Sequence, residues 1–488
     1  MRLARNGQAI LFRRSHGKRG EVETLSLAVV IMAAGKGTRL KSRRPKVLHE
    51  IGGKPLLAHV IAAAGKIVAP ADMYVVVGHQ AERVKAAVAS TGVNFVLQAE
   101  QLGTGHAIQC AREAIAGYED VLVLSGDVPL LRPETVEMLL EYHRLGSAMT
   151  ILTAVPENPL GYGRIVRRES ENQLEIEAIV EQKSLNQEQL GIREINTGIY
   201  AFQMRPLLTH LDELISNDAN GEYYLTDMAQ IFAKDGQLVA AVEAQDAGEV
   251  LGANTIPELV ALDATLRAQT AQRLMLQGVT IFRPETCVID ADVEAGPDTV
   301  IEPYVQLLGR TSIGSDCLIR SSSVIENSRI ADNVLVRQSC VITDSVIESG
   351  AKIGPFAHLR PGSEIGEDAH VGNFVETKKA RLGKGAKANH LTYLGDAVVG
   401  AGSNIGAGVI TCNYDGVNKH TTVIGEGVFV GSDSTLVAPI TVGDGAYIGA
   451  GSCITREVPA DALAVGRSRQ VTKEGWAAAK RNRKGREC

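Results

Sequence analysis

The sequence is poor in aromatic residues, which make up 4% of its 488 residues and include a single tryptophan, Trp476. No apolar run approaches the length of a membrane helix, so we expect a soluble protein without a membrane partner. An excess of positive charge is also lacking. The net charge of −6 argues against a protein whose main role is to coat nucleic acid.

The cysteines form no recognisable pattern. None of the seven belongs to a C-x-x-C pair, so the sequence predicts neither a zinc site nor a disulfide framework. Scattered thiols are typical of a reducing compartment, and we expect a cytoplasmic protein. Residues 1–24 are basic but lack the long apolar core of a secretory signal, and we predict that they form a disordered extension.

Glycine, by contrast, is abundant at 50 residues, and part of it belongs to a six-residue repeat in the second half of the chain. A helix needs apolar spacing of about 3.6 residues and a separate strand about 2. A period of six fits a coil with three flat sides, each of which turns one aliphatic residue inward. Glycines that follow the aliphatic positions, such as Gly366 and Gly443, are expected to let the chain bend at each corner. The two aliphatic runs are Ile347, Ile353, Leu359, Ile365 and Val371, then Ile424, Val430, Leu436, Val442, Ile448 and Ile454.

The repeat predicts a parallel β-helix but no chemistry, since a solenoid is an architecture and not an activity. Coils of this kind resemble the left-handed β-helix acyltransferases, an exception to the usual right-handed crossover. That resemblance implies a homotrimer with acyl-CoA bound in the groove between neighbouring subunits.

The first half alternates short apolar strands with helical stretches. This pattern predicts a Rossmann-like α/β domain with a mostly parallel sheet that is covered on both faces and binds ligands beyond the carboxyl ends of its strands. The predicted strands are Leu27–Met32, Tyr74–Val77, Asn94–Leu97, Val121–Leu124, Met149–Val155, Glu177–Val180 and Ile195–Phe202. The predicted helices are Leu56–Gly65, Glu82–Ser90, Gly105–Gly117 and Pro133–Leu145.

A glycine-rich turn follows the first strand directly. Gly35 and Gly37 permit a tight turn whose backbone N–H groups approach phosphate oxygens, and Arg39 and Lys46 add positive charge for a pyrophosphate leaving group. The turn matches neither G-x-G-x-x-G nor a Walker loop, so the sequence disfavours those two nucleotide-binding classes.

Further polar residues follow other predicted strands. Asp127 comes after the buried strand Val121–Leu124, where a carboxylate is placed to hold Mg²⁺. Gln98 offers an amide that can read a base edge. Gly163, Glu181 and Asn196 supply partners for sugar hydroxyls.

Residues 254–278 read as a linker helix, with a capping box at Thr255 and Glu258 and a glycine stop at Gly278. Its leucines recur at helical spacing, and we interpret it as a spacer between two domains.

Over the whole chain these motifs resemble the family of bifunctional N-acetylglucosamine-1-phosphate uridyltransferases/glucosamine-1-phosphate acetyltransferases. The resemblance implies a uridyltransferase domain at 25–253 and a left-handed β-helix acetyltransferase domain with a carboxyl-terminal tail at 279–488. It further implies Mg²⁺ on Asp127 and Asn254, with Arg39 and Lys46 in the catalytic set. Where some members have Tyr before Gly-Asp, this chain has Ser125. The implied nucleotide-sugar residues are Met32, Ala33, Ala34, Gly35, Lys46, Gln98, Gly103, Thr104, Ser125, Gly126, Asp127, Gly163, Glu181, Asn196 and Asn254.

The repeat is interrupted around 373–389 and again at 412–422, and loops that leave a solenoid often reach a ligand. The resemblance implies that Arg360, Lys378, Tyr393 and Asn404 bind glucosamine 1-phosphate and that His390 is the general base. Imidazole titrates in the range that this task requires. Ser432 or Asn413 is a candidate donor to the developing oxyanion. The implied acetyl-CoA residues are Ala407, Asn413, Tyr414, Ser432, Ala450 and Arg467.

The sequence therefore predicts an enzyme that acetylates glucosamine 1-phosphate with acetyl-CoA and then couples the product to UTP with Mg²⁺. This pathway supplies bacterial cell-wall and lipopolysaccharide synthesis. Two alternatives remain open at this point. One is a sugar-nucleotide pyrophosphorylase whose β-helix only regulates or assembles the oligomer, as in ADP-glucose or GDP-mannose enzymes. The other is a trimeric scaffold whose sheet domain merely binds nucleotide.

Overall fold

The computed structural model describes residues 26–167, 176–216 and 221–484. The chain forms two compact units that divide after Leu266. The predicted extension at 1–24 lies outside the described residues. In the described part of the chain, no helix is both long and apolar enough to cross a bilayer.

The first unit contains a nine-stranded sheet, a two-stranded hairpin and helices. Its strands are β1 Leu27–Ala33, β2 Glu50–Ile51, β3 Lys54–Pro55, β4 Met73–Val77, β5 Asn94–Leu97, β6 Asp120–Ser125, β7 Met149–Ala154, β8 Arg164–Arg167, β9 Ile176–Val180, β10 Ile195–Gln203 and β11 Val239–Glu243. Its helices are α1 Leu56–Ala64, α2 Ala81–Val88, α3 Thr104–Ile115, α4 Pro133–His143, α5 Met204–His210, α6 Met228–Lys234 and α7 Ile256–Leu276, the last of which continues into the second unit.

The large sheet has the order β11-β7-β10-β6-β1-β4-β5, and β8 joins β9 to β10. β1 runs parallel to β4 and β6, whereas β10 is antiparallel to β6 and β7, so the sheet is mostly parallel as predicted. Both faces are covered. Val29 and Ile31 pack into a core with α1, α2 and α4, while Ala28 and Val30 pack into a second core with α3, α5 and α6. The prediction missed β8, β11, α5 and α6, which lie in the part of the unit with weaker periodicity.

The amino end of α7 departs slightly from a regular capping box. Thr255 Oγ1 accepts the N–H of Glu258 (3.4 Å), as expected for the cap. The Glu258 carboxylate, however, accepts the N–H of Asn254 (2.7 Å) and not that of Thr255. The helix cap therefore fixes the backbone of Asn254.

The second unit is a coil with three faces, which form parallel sheets of 11, 10 and 9 strands. Face 1 contains Thr280–Ile281, Val300–Ile301, Leu318–Ile319, Leu335–Val336, Lys352–Ile353, His370–Asn373, Lys387–His390, Asn404–Ile405, Phe429–Val430, Tyr447–Ile448 and Leu463–Ala464. Face 2 contains Val288–Ile289, Gln306–Leu308, Val324–Glu326, Val341–Thr343, His358–Leu359, Glu376–Lys378, Tyr393–Gly395, Ile410–Cys412, Thr435–Val437 and Cys453–Ile454. Face 3 contains Glu294–Ala295, Ser312–Ile313, Arg329–Ile330, Val346–Ile347, Glu364–Ile365, Arg381–Leu382, Ala397–Val399, Thr422–Ile424 and Ile440–Val442. Helix α8, Trp476–Lys484, follows the coil.

The predicted repeat positions form the interior of this coil. Every residue of the two aliphatic runs is buried, and Ile454 near the last turn is the most exposed at 6%. Residues about one turn apart become lateral partners, as in the pairs Ile353↔Val371 and Ile347↔Ile365. Removal of each such side chain from water contributes about 1.5–3 kcal/mol, so the stacked column is the main stabilising feature of the unit.

The role predicted for the repeat glycines is wrong at most of their positions. Of the glycines that follow the aliphatic positions, Gly354 has a left-handed φ of 87°, but Gly366 and Gly443 do not. The left-handed corner positions are often taken by Asp, Asn or Ser, for example Asp368. Gly366 is required for a different reason: a Cβ there would lie 2.7 Å from the carbonyl oxygen of Leu382 on the next turn. Among the glycines that directly follow the aliphatic positions, close stacking of turns is thus a more frequent reason for glycine than bending.

The first predicted interruption is also wrong. Across 373–389 the coil continues, with Thr377 in the inward position and pairs such as Val371↔Ala388 one residue closer in sequence than Ile353↔Val371. The aliphatic repeat is not visible in the sequence of this turn, because small and hydroxylated side chains occupy interior positions there. The second interruption is a real loop, which separates the paired residues Val399 and Ile424.

We expect Gly366→Ala to lower the free energy of unfolding of the coil by about 1–3 kcal/mol, because its Cβ meets rigid backbone. The matched control is Gly449→Ala, where the closest atom is a methyl of Val465 at 3.1 Å that can shift. Thermal and denaturant unfolding followed by circular dichroism measures both variants. Equal stability of the two variants would show that turn stacking does not select glycine.

Candidate active sites

The turn that follows β1 forms one wall of a cavity of about 550 Å³ at the carboxyl edge of the sheet. β1 ends at Ala33, and after Gly37 the chain enters a short 3-10 turn, Thr38–Leu40. Gly37 has a left-handed φ of 63°, and a Cβ there would lie 2.6 Å from the Cβ of Lys46. Glycine is therefore required for Lys46 to pack against the turn.

The adjacent strand β6 brings a carboxylate to the same cavity. Ser125 ends β6, and its Oγ donates to Asp127 Oδ1 (2.6 Å). Gly126 lies behind them, where its N–H donates to the carbonyl of Met32 (3.0 Å) and a Cβ would lie 2.9 Å from that oxygen. The predicted residues that line the cavity are Met32, Ala33, Ala34, Gly35, Arg39, Lys46, Gln98, Gly103, Thr104, Ser125 and Asp127.

Lys46 lies at the centre of the charged groups. Its ammonium forms an ion pair with Asp127 Oδ2 and donates to Asn254 Oδ1 (2.9 Å). Arg39 donates to the same amide oxygen (2.7 Å). The segment that carries Asn254 passes so close to Asp127 that a Cβ on Gly252 would lie 2.7 Å from Oδ2. The two predicted metal ligands thus share one cation, the ammonium of Lys46.

The same two oxygens suit a hard divalent cation. A carboxylate and an amide oxygen that converge on one position match the ligand preference of Mg²⁺, which commonly combines one or two protein oxygens with waters and substrate phosphates. Within the described ranges no group of three or more His, Cys, Asp or Glu residues is arranged to hold a metal. The ammonium and a metal ion cannot share one position, so binding of the ion requires Lys46 to move.

Gln98 and Thr104 form another wall of the cavity. Gln98 is 3% exposed, and its Nε2 donates to the carbonyl of Gly103 (2.9 Å). Gly103 has a φ of 101°, and a Cβ there would lie 2.5 Å from the carbonyl oxygen of Tyr223. Thr104 Oγ1 accepts the N–H of Leu225 (2.9 Å). The Gln98 carboxamide is therefore held in one orientation against the cavity.

Sequence reasoning missed the segment from Glu222 to Asp227. Glu222 and Tyr224 line the cavity, while the charge of Asp227 contributes to the raised pKa of Glu181. The segment thus connects the cavity with the predicted sugar residues. The sequence signal that could have found this segment is its cluster of acidic, aromatic and hydroxyl side chains.

The predicted sugar residues Gly163, Glu181 and Asn196 lie side by side at one end of β8, β9 and β10. Their neighbours are in register, since Arg164 pairs with both Val180 and Ile195. The Asn196 N–H donates to the carbonyl of Gly163 (2.9 Å).

The side chains of two of these residues are held by their surroundings. Asn196 Nδ2 donates to the hydroxyl of the buried Tyr200 (2.8 Å). Burial, followed by the nearby Asp227, raises the pKa of Glu181. The fold therefore disfavours the ionised form of Glu181.

In the coil, three of the four predicted sugar-phosphate residues, Arg360, Lys378 and Tyr393, lie along face 2. The Arg360 N–H donates to the carbonyl of Thr377, so Arg360 and Lys378 lie on successive turns. Lys378 pairs with Gly395, and the Tyr393 hydroxyl folds over that glycine, where a Cβ would lie 2.4 Å away.

A further cation, Lys419, joins this cluster and was missed by sequence reasoning. The Lys419 ammonium, and after it Arg360, lowers the pKa of Lys378. Glu376 pairs with Arg360 (2.8 Å), and Asp396 partly opposes the effect on Lys378, so the three cations face two carboxylates. The cluster, defined here as the face-2 cations Arg360, Lys378 and Lys419, suits a doubly negative phosphate.

The loop at 412–422 presents Lys419 in a fixed position. Asp415 Oδ1 accepts the N–H groups of Val417 (2.8 Å) and Asn418 (2.6 Å), and Oδ2 lies 2.7 Å from His420 Nε2. These contacts lower the pKa of Asp415, with the Asn418 N–H as the largest cause. The ordered loop is thus part of the site and not a random insertion.

His390 lies on face 1, across one corner of the coil from Tyr393. The ring is exposed, and Asn404 is on the next turn of the same face, where it pairs with Lys387. His390 ends its face-1 strand just before the corner that Leu391 and Thr392 form, and Tyr393 begins the face-2 strand after it. Arg360 and Lys378 lie in line with Gly395, two residues farther along face 2.

The predicted acetyl-CoA residues mostly follow one line along the corner next to His390. The carbonyl of His390 accepts from Gly408, that of Ala407 from Asp433 and that of Ser432 from Gly451. Gly451 lies close to Arg467, since a Cβ added at Gly451 would lie 3.9 Å from the Arg467 side chain. The line runs through Ala407, Ser432, Ala450 and Arg467 over successive turns.

Asn413 and Tyr414 do not lie on that line, because they belong to the loop at 412–422. Asn413 is 7% exposed, and its Nδ2 donates to Asp396, whereas Ser432 is exposed. Of the two predicted oxyanion donors, Ser432 is the more accessible. Tyr414 is 60% exposed and pairs with Lys419 across the loop.

Comparison with known families and proteins agrees with this division of the chain. The profile of the MobA-like NTP transferase domain matches residues 29–189, and that of the bacterial transferase hexapeptide (six repeats) matches 344–379 and 421–456. The chain is similar to the bifunctional protein GlmU of Koribacter versatilis, at 60% identity over 93% of this chain and 97% of that protein. The GlmU proteins of Solibacter usitatus (49% identity, 94% and 99% coverage) and Streptococcus thermophilus (45%, 93% and 98%) are further relatives.

We expect Lys46→Met to increase the affinity of the nucleotide-free protein for Mn²⁺, used as a paramagnetic substitute for Mg²⁺, because the competing ammonium is removed. The matched control is Lys36→Met, which removes an equal charge from the same cavity wall. Electron paramagnetic resonance titration measures free and bound Mn²⁺. Equal affinities of the two variants would show that Lys46 does not compete with the metal.

We expect Glu181→Gln to raise the melting temperature at pH 8 but not at pH 4, relative to the unsubstituted protein. The raised pKa of Glu181 means that ionisation costs folded stability. That cost is absent below the unfolded pKa of about 4.3, grows as pH rises to the folded pKa and is constant above it. Glu177→Gln, an exposed position on the same strand, is the control and should show neither change. A pH-independent effect of Glu181→Gln would contradict the assignment.

Proposed function

The chain belongs to the bifunctional GlmU family, and we propose that it acetylates glucosamine 1-phosphate in the coil and couples the product to UTP in the sheet unit. Acetyl-CoA and UTP are the co-substrates, Mg²⁺ is the cofactor, and UDP-N-acetylglucosamine is the product. Acetyl-CoA and UTP are cytoplasmic metabolites, so the cytoplasm is the proposed location.

The observation that carries the proposal is the presence of an exposed histidine at the end of a face-1 strand and of the face-2 cations on the adjacent face of the coil. A β-helix that only assembled an oligomer would need neither a base at His390 nor three clustered cations. The cluster supplies charge for the sugar phosphate, while His390 lies one corner away, towards the amine end of the substrate.

In the acetyl transfer, the His390 imidazole takes one proton from the ammonium of glucosamine 1-phosphate. The free amine nitrogen then forms a bond to the thioester carbonyl carbon, with Ser432 as the accessible donor to the oxyanion. Collapse of the tetrahedral intermediate breaks the carbon–sulfur bond. The nitrogen loses its second proton, the CoA thiolate gains a proton, and one proton is released overall.

In the uridylyl transfer, a phosphate oxygen of N-acetylglucosamine 1-phosphate attacks the α-phosphorus of UTP, and the bond to the β-phosphate breaks to release pyrophosphate. Little proton transfer is required because the nucleophile is already an anion. Arg39 and Lys46 bind the departing phosphates, Gln98 orients the base, and Gly163, Glu181 and Asn196 hold the sugar. Mg²⁺ held by Asp127 and Asn254 would neutralise charge between the two phosphate groups.

The acetyl-CoA line lies on an exposed corner of the coil. Ser432, Ala450 and Arg467 are all exposed, and a flat ridge buries too little of a long cofactor to bind it well. A homotrimer in which a neighbouring subunit covers this corner would form the missing wall, and we propose that assembly.

Two single substitutions separate the two reactions, and each serves as the control for the other. We expect His390→Ala to lower the rate of acetyl transfer by about 10²-fold or more and to leave uridylyl transfer unchanged, because only the former needs a general base. We expect Asp127→Ala to abolish the Mg²⁺-dependent release of pyrophosphate while CoA release continues. Product analysis with each substrate pair measures both. A His390→Ala variant with full acetyl transfer would overturn the assignment of the base, and a protein without any acetyl transfer would favour a pyrophosphorylase with a structural coil.

A further inference from the structure

The side chain of Asn373 contacts the ring of His390. Asn373 Oδ1 lies 2.7 Å from His390 Nδ1. From this contact we infer that Asn373 is a positioning residue that selects the tautomer of His390 used in acetyl transfer. This inference deepens the proposed function and rests on His390 as the base of that reaction.

The fold brings the two side chains together by direct lateral pairing. Asn373 and His390 occupy the same register position on adjacent strands of face 1. The turns stack closely there, because a Cβ on Gly372 would lie 2.0 Å from the carbonyl oxygen of Asn389. The Leu391 N–H also donates to the Asn373 carbonyl (3.1 Å). The backbones of both residues are thus held at the spacing that a side-chain hydrogen bond needs.

The contact determines which ring nitrogen can act as a base. An amide oxygen only accepts hydrogen bonds, so Nδ1 must carry the proton when it bonds to Asn373 Oδ1. The neutral ring then has its lone pair on Nε2, at the exposed edge of the imidazole. In the other tautomer the lone pairs of Nδ1 and Oδ1 would face each other unless the amide turned to present its NH₂ group, and Nε2 would be unable to accept a proton.

The neutral charge of the amide also matters for this role. A carboxylate at the same place would select the same tautomer but would stabilise the imidazolium, which cannot act as a base. His370, on the preceding turn of this face, interacts electrostatically with His390. Burial lowers the pKa of His370 most, and nearby basic groups lower it further: Arg337, Lys352, Lys387 and His390. The surroundings of the ring on this face are therefore basic, and an added carboxylate would have a clear effect.

Two substitutions of Asn373 separate tautomer control from charge. Asn373→Leu keeps the approximate volume but removes the acceptor. We expect it to lower kcat for acetyl transfer by between about 10-fold and 10²-fold, part of the contribution of a general base, with little change in KM. Asn373→Asp keeps the acceptor, so activity should be recovered at high pH, while the acid limb of the pH profile moves to higher pH.

The direct readout is nitrogen NMR of the full-length protein labelled with ¹⁵N-histidine, with His390→Gln used to assign the ring signals. In the unsubstituted protein we expect a pyrrole-type Nδ1 and a pyridine-type Nε2 at high pH. Asn373→Leu should shift both signals towards averaged tautomers, whereas Asn373→Asp should preserve them. The control is Thr392→Val, which removes a hydrogen bond to the backbone carbonyl of His390 (2.7 Å) and should leave the ring signals unchanged.

The experiments can overturn the role of Asn373 and the proposed function separately. A pyridine-type Nδ1 in the unsubstituted protein, or unchanged ring signals and an unchanged kcat in Asn373→Leu, would overturn the role of Asn373. Absence of acetyl transfer in the unsubstituted protein, with the expected tautomer present, would overturn the proposed function while leaving the tautomer selection intact.

Discussion

The stacking distance between turns of the coil is the constraint on which its site depends. Parallel strands lie about 4.8 Å apart, so a residue on one turn has a fixed lateral partner on the next. The buried aliphatic column holds the turns at that distance, and glycines such as Gly366 and Gly431 leave room for the neighbouring backbone. Outward side chains on successive turns, such as Asn373 and His390, are therefore placed within hydrogen-bonding distance without any loop of their own.

The sheet unit brings the residues of its site together in a different way. Parallel strands deliver Ala33 and Ser125 to one edge, so the residues that follow them converge on the nucleotide cavity. Asn254 arrives from much later in the chain, and the cap of α7 fixes its backbone. Lys46 neutralises the carboxylate of Asp127 and donates a hydrogen bond to the amide oxygen of Asn254, so it joins the two side chains. The same lysine occupies the position that the proposed divalent cation would take.

Local sequence features predicted the elements well where they were periodic. The strand Asn94–Leu97 has the predicted bounds, and the strong helices agree to within about two residues at each end, the usual uncertainty of helix boundaries. The prediction failed where several residue types satisfy one position. The inward Thr377 replaced an aliphatic residue and made a continuous coil look interrupted. Glycine was assigned to bending because both bending and close stacking favour a missing Cβ, and only the positions of neighbouring atoms distinguish them.

The sequence by itself determined the two architectures and the period of the coil, because hydrophobic spacing is a property of neighbours along the chain, whereas most residues proposed for the two sites were implied by the family resemblance. The tertiary structure alone decided which distant residues meet. It brought Lys46 onto Asp127 and Asn254, Lys419 onto Lys378, and Asn373 onto His390. These contacts join residues from separate turns or loops, and their existence depends on register and on the path of the intervening chain, which no local pattern specifies.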